Sequence, residues 1–298
     1  MTTTTPGNSV LDPLRRPSGA FAMLAVDQRE ALRNMLAEHT DAPVTDDDVR
    51  DFKLTAARVL TPLASAVLID RQFALDAAIE QGVVAGTCGL IGSADHFEPA
   101  HGELVGEVTI DRLIDAHDLK RRGAVALKLL VLHRPDESPD GRIAMTREFI
   151  DLCADAGLAS IIEPVSRKPL GGGDDWDWNE GVHRAAAELG GLGADLYKAE
   201  VPRRAAVGDD ELRAECARLT DAIDGPWVVL SSGVDPEVFP NAVRIACEAG
   251  ASGFLAGRAV WAPSLAAADV EADLRTNATQ RLQRLVDVVD DVVGTRAR

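Results

Sequence analysis

Hydrophobic and polar positions along the chain fall into two alternating patterns. Short, nearly continuous apolar runs recur at "FAMLAVD" (21–27), "SAVLID" (65–70), "AGTCGLI" (85–91), "VALKLLVL" (125–132), "SIIEPV" (160–165), "LYKAEV" (196–201), "WVVLSS" (227–232) and "GFLAG" (253–257). Runs without polar alternation suit strands covered on both faces, hence a parallel sheet. Between them lie segments with helical spacing. "TDDDVRDFKLTAARVL" opens with Thr45 as an N-cap and with Asp46, Asp47 and Asp48 in the first turn, where acids complement the helix dipole. Its Val49, Phe52, Ala56, Val59 and Leu60 fall on one face. "RIAMTREFIDLCADAG" carries Ile143, Phe149, Ile150, Cys153 and Ala154 and stops at Gly157, a candidate C′ glycine; "NEGVHRAAAELGG" and "NAVRIACEAG" are read as ending the same way.

Eight strands alternating with helices predict an α/β fold of the (β/α)8 TIM-barrel type. A doubly wound open sheet is the alternative, but neither GxGxxG nor GxxxxGK[ST] follows any strand. The polar start "MTTTTPGNS" has no basic and apolar leader, so residues 1–14 are expected as a disordered or loosely ordered tail and 15–298 as a single barrel domain. No apolar run approaches the ~20 residues needed to span a bilayer, so no membrane association and a cytoplasmic location are expected. The four cysteines are scattered without a CxxC and read as reduced, buried thiols.

Charge narrows the partners. The formal net charge is −17, spread along helices, and no basic patch suggests nucleic acid. Such a field opposes an anionic substrate, which must then be held by local cations and backbone amides.

A barrel places its chemistry at the C-terminal ends of the strands, and there the sequence turns polar. The first strand ends in Asp27-Gln28-Arg29 and the second in Asp70-Arg71-Gln72. The fourth contains Lys128 and ends in His133-Arg134; the fifth contains Glu163 and leads to Ser166-Arg167-Lys168. The sixth carries Lys198 and Glu200, the seventh ends in Ser231-Ser232-Gly233 and the eighth in Gly257-Arg258. Any one of these has a bland reading as a salt bridge or cap. Two in-strand lysines with a glutamate are harder to set aside. Alternation turns Leu127, Leu129, Tyr197 and Ala199 away from them. Either lysine taken alone can be a permanent ammonium in an ion pair. Alternatively, burial and a neighbouring cation lower its pKa and leave an amine that attacks a carbonyl. Two lysines in one pocket favour the second fate, with Glu163 shuttling protons. The loops after the last two strands offer Ser231, Ser232, Gly233 and the Gly257 amide with the Arg258 guanidinium, a set suited to a phosphate, although both glycines can simply turn the chain. The residues therefore point to a Schiff-base lyase for a phosphorylated sugar.

The same residues carry a family resemblance. "GAFAMLAVDQREALRNM", "LASAVLIDRQF", "ALKLLVLHRPDE", "SIIEPVSRKP", "GADLYKAEVP", "PWVVLSSGVD" and "AGASGFLAGRAVWA" resemble, in order, the class I aldolases that include tagatose-1,6-bisphosphate aldolase, and among these most resemble the bacterial sulfofructosephosphate aldolases. The resemblance runs from about residue 18 to the C-terminus and is weakest at the third strand. It implies cleavage of 6-deoxy-6-sulfofructose 1-phosphate to dihydroxyacetone phosphate and 3-sulfolactaldehyde in sulfoquinovose degradation, with no cofactor beyond a covalent lysine imine and no metal. It implies Lys198 as the imine-forming residue, Glu163 in proton transfer, Lys128 at the substrate hydroxyls, Asp27 and Gln28 in the pocket with Asp70 beside them, and the "SSG" and "AGR" loops at a phosphate. Arg29, Arg134 and Arg167 are candidates for the sulfonate; each is equally a candidate surface ion pair. Ala199 and the loops "RRAAVGDD" and "PLGGGDDWDWNE" depart from the family pattern. A sugar-phosphate substrate and a homo-oligomer are expected as partners. A tagatose or fructose 1,6-bisphosphate aldolase is the alternative within the class. A metal-dependent aldolase is disfavoured because His39, His96, His101, His117, His133 and His183 form no HxH or HxxxH pair. A non-catalytic sugar-phosphate-binding barrel would be expected to lack the lysine pair.

Overall fold

The computed structural model describes residues 9–172 and 176–296. Within them the strands are β1 (Phe21–Ala25), β2 (Ala66–Asp70), β3 (Gly89–Ser93), β4 (Asp95–Ala100), β5 (Glu103–Ile110), β6 (Ala124–His133), β7 (Ala159–Ser166), β8 (Leu196–Glu200), β9 (Trp227–Leu230) and β10 (Gly253–Ala256). Eight of them close a barrel in the order β1-β10-β9-β8-β7-β6-β3-β2, and every pairing is parallel. The TIM-barrel reading is therefore correct.

Two elements differ from the sequence reading. The third strand is Gly89–Ser93, not 85–91: residues 85–88 form a turn closed by Cys88 N–H donating to Ala85 O at 2.8 Å. The strand runs on through Gly92 and Ser93, which an apolar run does not reveal. Gly92 is small for a reason, since a Cβ there would come within 3.1 Å of Leu127 Cδ2. The second difference is an antiparallel hairpin, β4–β5, inserted between the third and fourth barrel strands. Its two-residue loop is His101-Gly102, both at positive φ (55° and 76°), as short hairpin loops that match strand twist require.

The helices follow their caps. Asp46–Leu60 begins with a capping box: Asp48 N–H donates to Thr45 Oγ1 and Thr45 N–H donates to Asp48 Oδ2. Pro139–Ala156 ends at Gly157 in the left-handed region, φ 66°. The helix Trp178–Leu189 does not end that way. Gly190 is right-handed, and its small size is needed because a Cβ would lie 2.5 Å from Ala186 O and 2.6 Å from Ala222 O.

Alternation along the strands divides the apolar residues into two cores. Outward-facing Leu24, Val67, Leu127, Ile162, Tyr197, Val229 and Phe254 pack against the helices. Inward-facing Phe21, Met23, Leu68, Ile91, Ile161, Leu196, Val228 and Leu255 fill the N-terminal half of the barrel. Leu11 and Leu14, within the segment read as tail, close this plug from below and are buried. Leu14 and Pro13 sit so close to the start of β3 that a Cβ at Gly89 would meet Pro13 O at 2.9 Å. The tail therefore does not extend through residue 14 as a loose segment; residues 1–8, and 173–175 of the acidic loop, lie outside the described residues. All four cysteines are buried and unpaired. No helix among the described residues is long and apolar enough to cross a membrane.

Candidate active site

One residue pair above the apolar plug, the same inward positions become ionic. Lys128 on β6, Glu163 on β7 and Lys198 on β8 point into the barrel from three consecutive strands. Glu163 Oε2 lies 3.1 Å from Lys128 Nζ and 3.0 Å from Lys198 Nζ, so the two lysines share one carboxylate oxygen. These are ion pairs rather than aligned hydrogen bonds, since that oxygen has no hydrogen-bond partner. The sequence brings these three together as expected.

The two lysines differ in company. Lys128 is fully buried and is ringed by three carboxylates: Asp27 at 2.7 Å, Asp95 at 2.7 Å and Glu163. Burial pushes its pKa down, but Asp27, Asp95 and Glu163 outweigh it and hold the ammonium well above its ordinary range. Burial likewise raises Asp27, yet the Lys128 and Lys198 charges hold its carboxyl well below the usual carboxylate range. Lys128 is thus a fixed ammonium. This corrects the expectation of two bare like charges disfavouring each other: carboxylates compensate them. Among the described residues, Glu163 is the one carboxylate within ion-pair distance of Lys198.

Above the trio opens a cavity of about 420 Å³. Glu163 faces it from the floor, while Lys128 and Lys198 are 0% and 3% exposed behind it. Asp27, Gln28 and Arg29 line one wall, Arg167 another, and Ser232 and Arg258 a third. The Arg258 guanidinium donates to Ser232 Oγ at 2.8 Å, so two side chains able to contact an anion stand together. Ser231 is buried beside them, where the Ala259 N–H donates to its Oγ at 3.4 Å and joins the two loops. Gly233, φ 73°, supplies a left-handed turn. Gly257 is required by packing: a Cβ would lie 2.1 Å from Ala25 O on β1.

Other expected site residues are engaged elsewhere. Asp70 is fully buried, ion-paired with Lys53 of the helix 46–60, and accepts from Phe73 N–H at 2.9 Å; it does not face the cavity. Burial pushes Asp70 up and Lys53 down, and each partner's charge opposes the shift. Arg29 lines the cavity, but its Nη2 donates to Asp95 Oδ1 at 2.7 Å and to Asp95 O at 2.8 Å, and its guanidinium lies 4.1 Å from the centre of the Phe97 ring. Arg134 is 1% exposed and donates to Lys168 O at 2.6 Å. Arg167 is about one-third exposed and lies 3.3 Å from Glu103.

Asp95 is the main residue the sequence reading missed. It fixes both Lys128 and Arg29. It follows the true end of β3, so the strand-end rule would have found it had the strand been placed two residues later. Glu200, two residues past Lys198 and buried, accepts from Ser166 N–H at 2.8 Å. Burial pushes its carboxyl up to about 7, against that hydrogen bond. Among the described residues no cluster of three or more His, Cys, Asp or Glu is arranged to hold a metal ion.

Comparison with known proteins finds an aldolase family and barrels of the same fold. Residues 21–263 match the family model described as DeoC/LacD family aldolase. Tagatose 1,6-diphosphate aldolase 2 of Enterococcus faecalis is 27% identical over 97% of this chain and 95% of its own length. Tagatose 1,6-diphosphate aldolase of Staphylococcus haemolyticus is 27% identical over 84% and 83%. Among solved structures, a Schiff-base-forming fructose-1,6-bisphosphate aldolase shares the fold at TM-score 0.63 and 19% identity, covering 94% of this chain and 98% of that one. An archaeal fructose-1,6-bisphosphate aldolase whose catalytic Lys carries the carbinolamine intermediate shares it at TM-score 0.62 and 16% identity, covering 94% and 98%.

Proposed function

The chain belongs to the DeoC/LacD family of aldolases, and from that premise we propose that it cleaves a ketose phosphate through a Schiff base on Lys198. The observation that carries the reading is the shared oxygen: Lys128 and Lys198 both stand at Glu163 Oε2, but only Lys198 lacks further carboxylate partners among the described residues. Lys128 is held as an ammonium and is unsuited to attack. Lys198 can give a proton to Glu163 and attack the C2 carbonyl; loss of water from the carbinolamine leaves an iminium. A base then removes the C4 hydroxyl proton, the C3–C4 electron pair flows into the iminium, and the aldehyde departs. The enamine left behind is protonated at C3, and hydrolysis frees dihydroxyacetone phosphate and the lysine. Glu163 is placed to relay these protons, and Lys128 to hold developing negative charge at the hydroxyls.

The substrate of this reading is 6-deoxy-6-sulfofructose 1-phosphate, giving 3-sulfolactaldehyde as the second product. It needs an anion site at each end of the cavity. Arg258 with Ser232 stands on one side for the phosphate, and Arg167 on the other for the sulfonate. A second reading, tagatose or fructose 1,6-bisphosphate, is favoured by the names of the relatives at 27% identity.

Borohydride added during turnover is expected to fix a dihydroxyacetone-phosphate-derived mass on the peptide holding Lys198, and none in Lys198→Met. An adduct on another lysine, or turnover without any adduct, overturns the mechanism. Rates on the sulfonated ketose phosphate against the two bisphosphates decide the substrate: equal or faster bisphosphate cleavage rejects the sulfonate.

A further inference from the structure

The hairpin β4–β5 arches over the cavity, and its Phe97, Pro99, Leu104 and Val105 form part of the lining. Just after the hairpin loop, Glu103 reaches back to the barrel. Its Oε1 lies 3.0 Å from Arg134 Nη2 at the end of β6, and its Oε2 lies 3.3 Å from Arg167 Nε after β7. One carboxylate therefore bridges two guanidinium groups from neighbouring strands, at the side of the cavity opposite Arg258.

The bridge is imperfect. Arg134 is 1% exposed, yet its Nε and Nη2 have no hydrogen-bond partner. Glu103 is near enough for an ion pair but is not aligned with those donors. Buried guanidinium donors are ordinarily satisfied. Arg167 itself lines the cavity, and Arg134 is buried behind it with two donors not aligned on any acceptor, so positive charge backs this part of the wall.

We propose that Glu103 is an internal anion seated in a second anion subsite made by Arg134 and Arg167, and that it sets how much charge a substrate can bring there. The inference rests on the ketose-phosphate reading and adds to it a specificity-determining residue. With Glu103 in place, one of the two guanidinium charges is already met by a carboxylate. A sulfonate brings one negative charge, whereas a phosphate monoester brings nearly two. Glu137, 3.7 Å from Arg134 Nε, weighs further against a dianion. Removing the Glu103 charge tips the subsite toward phosphate.

Glu103→Gln keeps the shape of a partly exposed side chain and removes its charge. Fructose 1,6-bisphosphate and fructose 1-phosphate, which differ only in the distal phosphate, are titrated calorimetrically into wild type and E103Q at low salt. The bisphosphate Kd is expected to tighten roughly tenfold, the scale of one charge removed at contact range in a partly wet site, and the 1-phosphate Kd to stay within about twofold. Adding Arg167→Gln to E103Q is expected to cancel the gain. A bisphosphate Kd that does not tighten in E103Q, or that shifts in parallel with the 1-phosphate, overturns the proposal whether or not either sugar is cleaved. Cleavage of the sugars by wild type is scored separately and tests the aldolase reading alone.

Discussion

The floor and the mouth of this barrel are built from the same strands, one inward position apart. Two residues further along each strand, Ala25 gives way to Asp27, Leu68 to Asp70, Ala126 to Lys128, Ile161 to Glu163 and Leu196 to Lys198. Below the boundary the interior is an apolar plug that stabilises by burying surface, about 25 cal/mol per Å². Above it the interior holds at least three carboxylates and two ammonium groups taken out of water, which costs stability unless each charge is met by another. The difference teaches that the N-terminal half supports an electrostatic site that could not hold itself together, and that a Cα shift of two residues suffices to change the task.

That division of labour can be broken from either side. Glu163→Gln leaves the shape of the mouth but removes the carboxylate shared by Lys128 and Lys198. A fall in kcat of roughly 10²–10⁴-fold is expected, the range of a lost general acid–base, together with a lower melting temperature because buried Lys198 loses its one carboxylate neighbour among the described residues; steady-state kinetics and calorimetry check it, and near-normal turnover would break the assignment. Leu14→Ala strikes the floor. Truncating this fully buried side chain is expected to cost about 2–5 kcal/mol by denaturant unfolding, with kcat unchanged below the transition. A parallel loss of kcat would show that floor and mouth are not separable. The smallest effect belongs to Glu200. Its raised carboxyl favours the neutral form in the folded protein, so its contribution is whole below the ordinary glutamate range and is lost as pH rises through about 7. Between pH 5 and 8, wild type is expected to lose more stability than Glu200→Gln, by on the order of 2 kcal/mol. Unfolding curves that fall in parallel would reject the shift.

Much of this was legible beforehand because period-2 alternation and strand ends are local properties. Lys128, Glu163 and Lys198 could be placed on one interior face from spacing alone. Glu163's position between the two lysines could not, because it depends on the register of β6, β7 and β8. Asp95 escaped because β3 ends in Gly92 and Ser93, which lack the apolar signature of a strand. The hairpin escaped because "DHFEPAHGELVGEV" mixes polar and apolar residues and packs one face over a cavity that exists only after the barrel closes. Lys53 reads as an ordinary helix lysine, and only the tertiary fold reveals that it is buried against Asp70.

The sequence by itself determined the barrel, the side of it that carries charge and the lysine pair, since each follows from periodicity and residue type along a single strand. The tertiary structure decided which lysine is compensated and which has a single carboxylate neighbour, that Asp70 serves Lys53 rather than the cavity, and that Glu103 stands between Arg134 and Arg167. These are relations between charges far apart in the chain, and their strength depends on distance and burial, which no local pattern encodes.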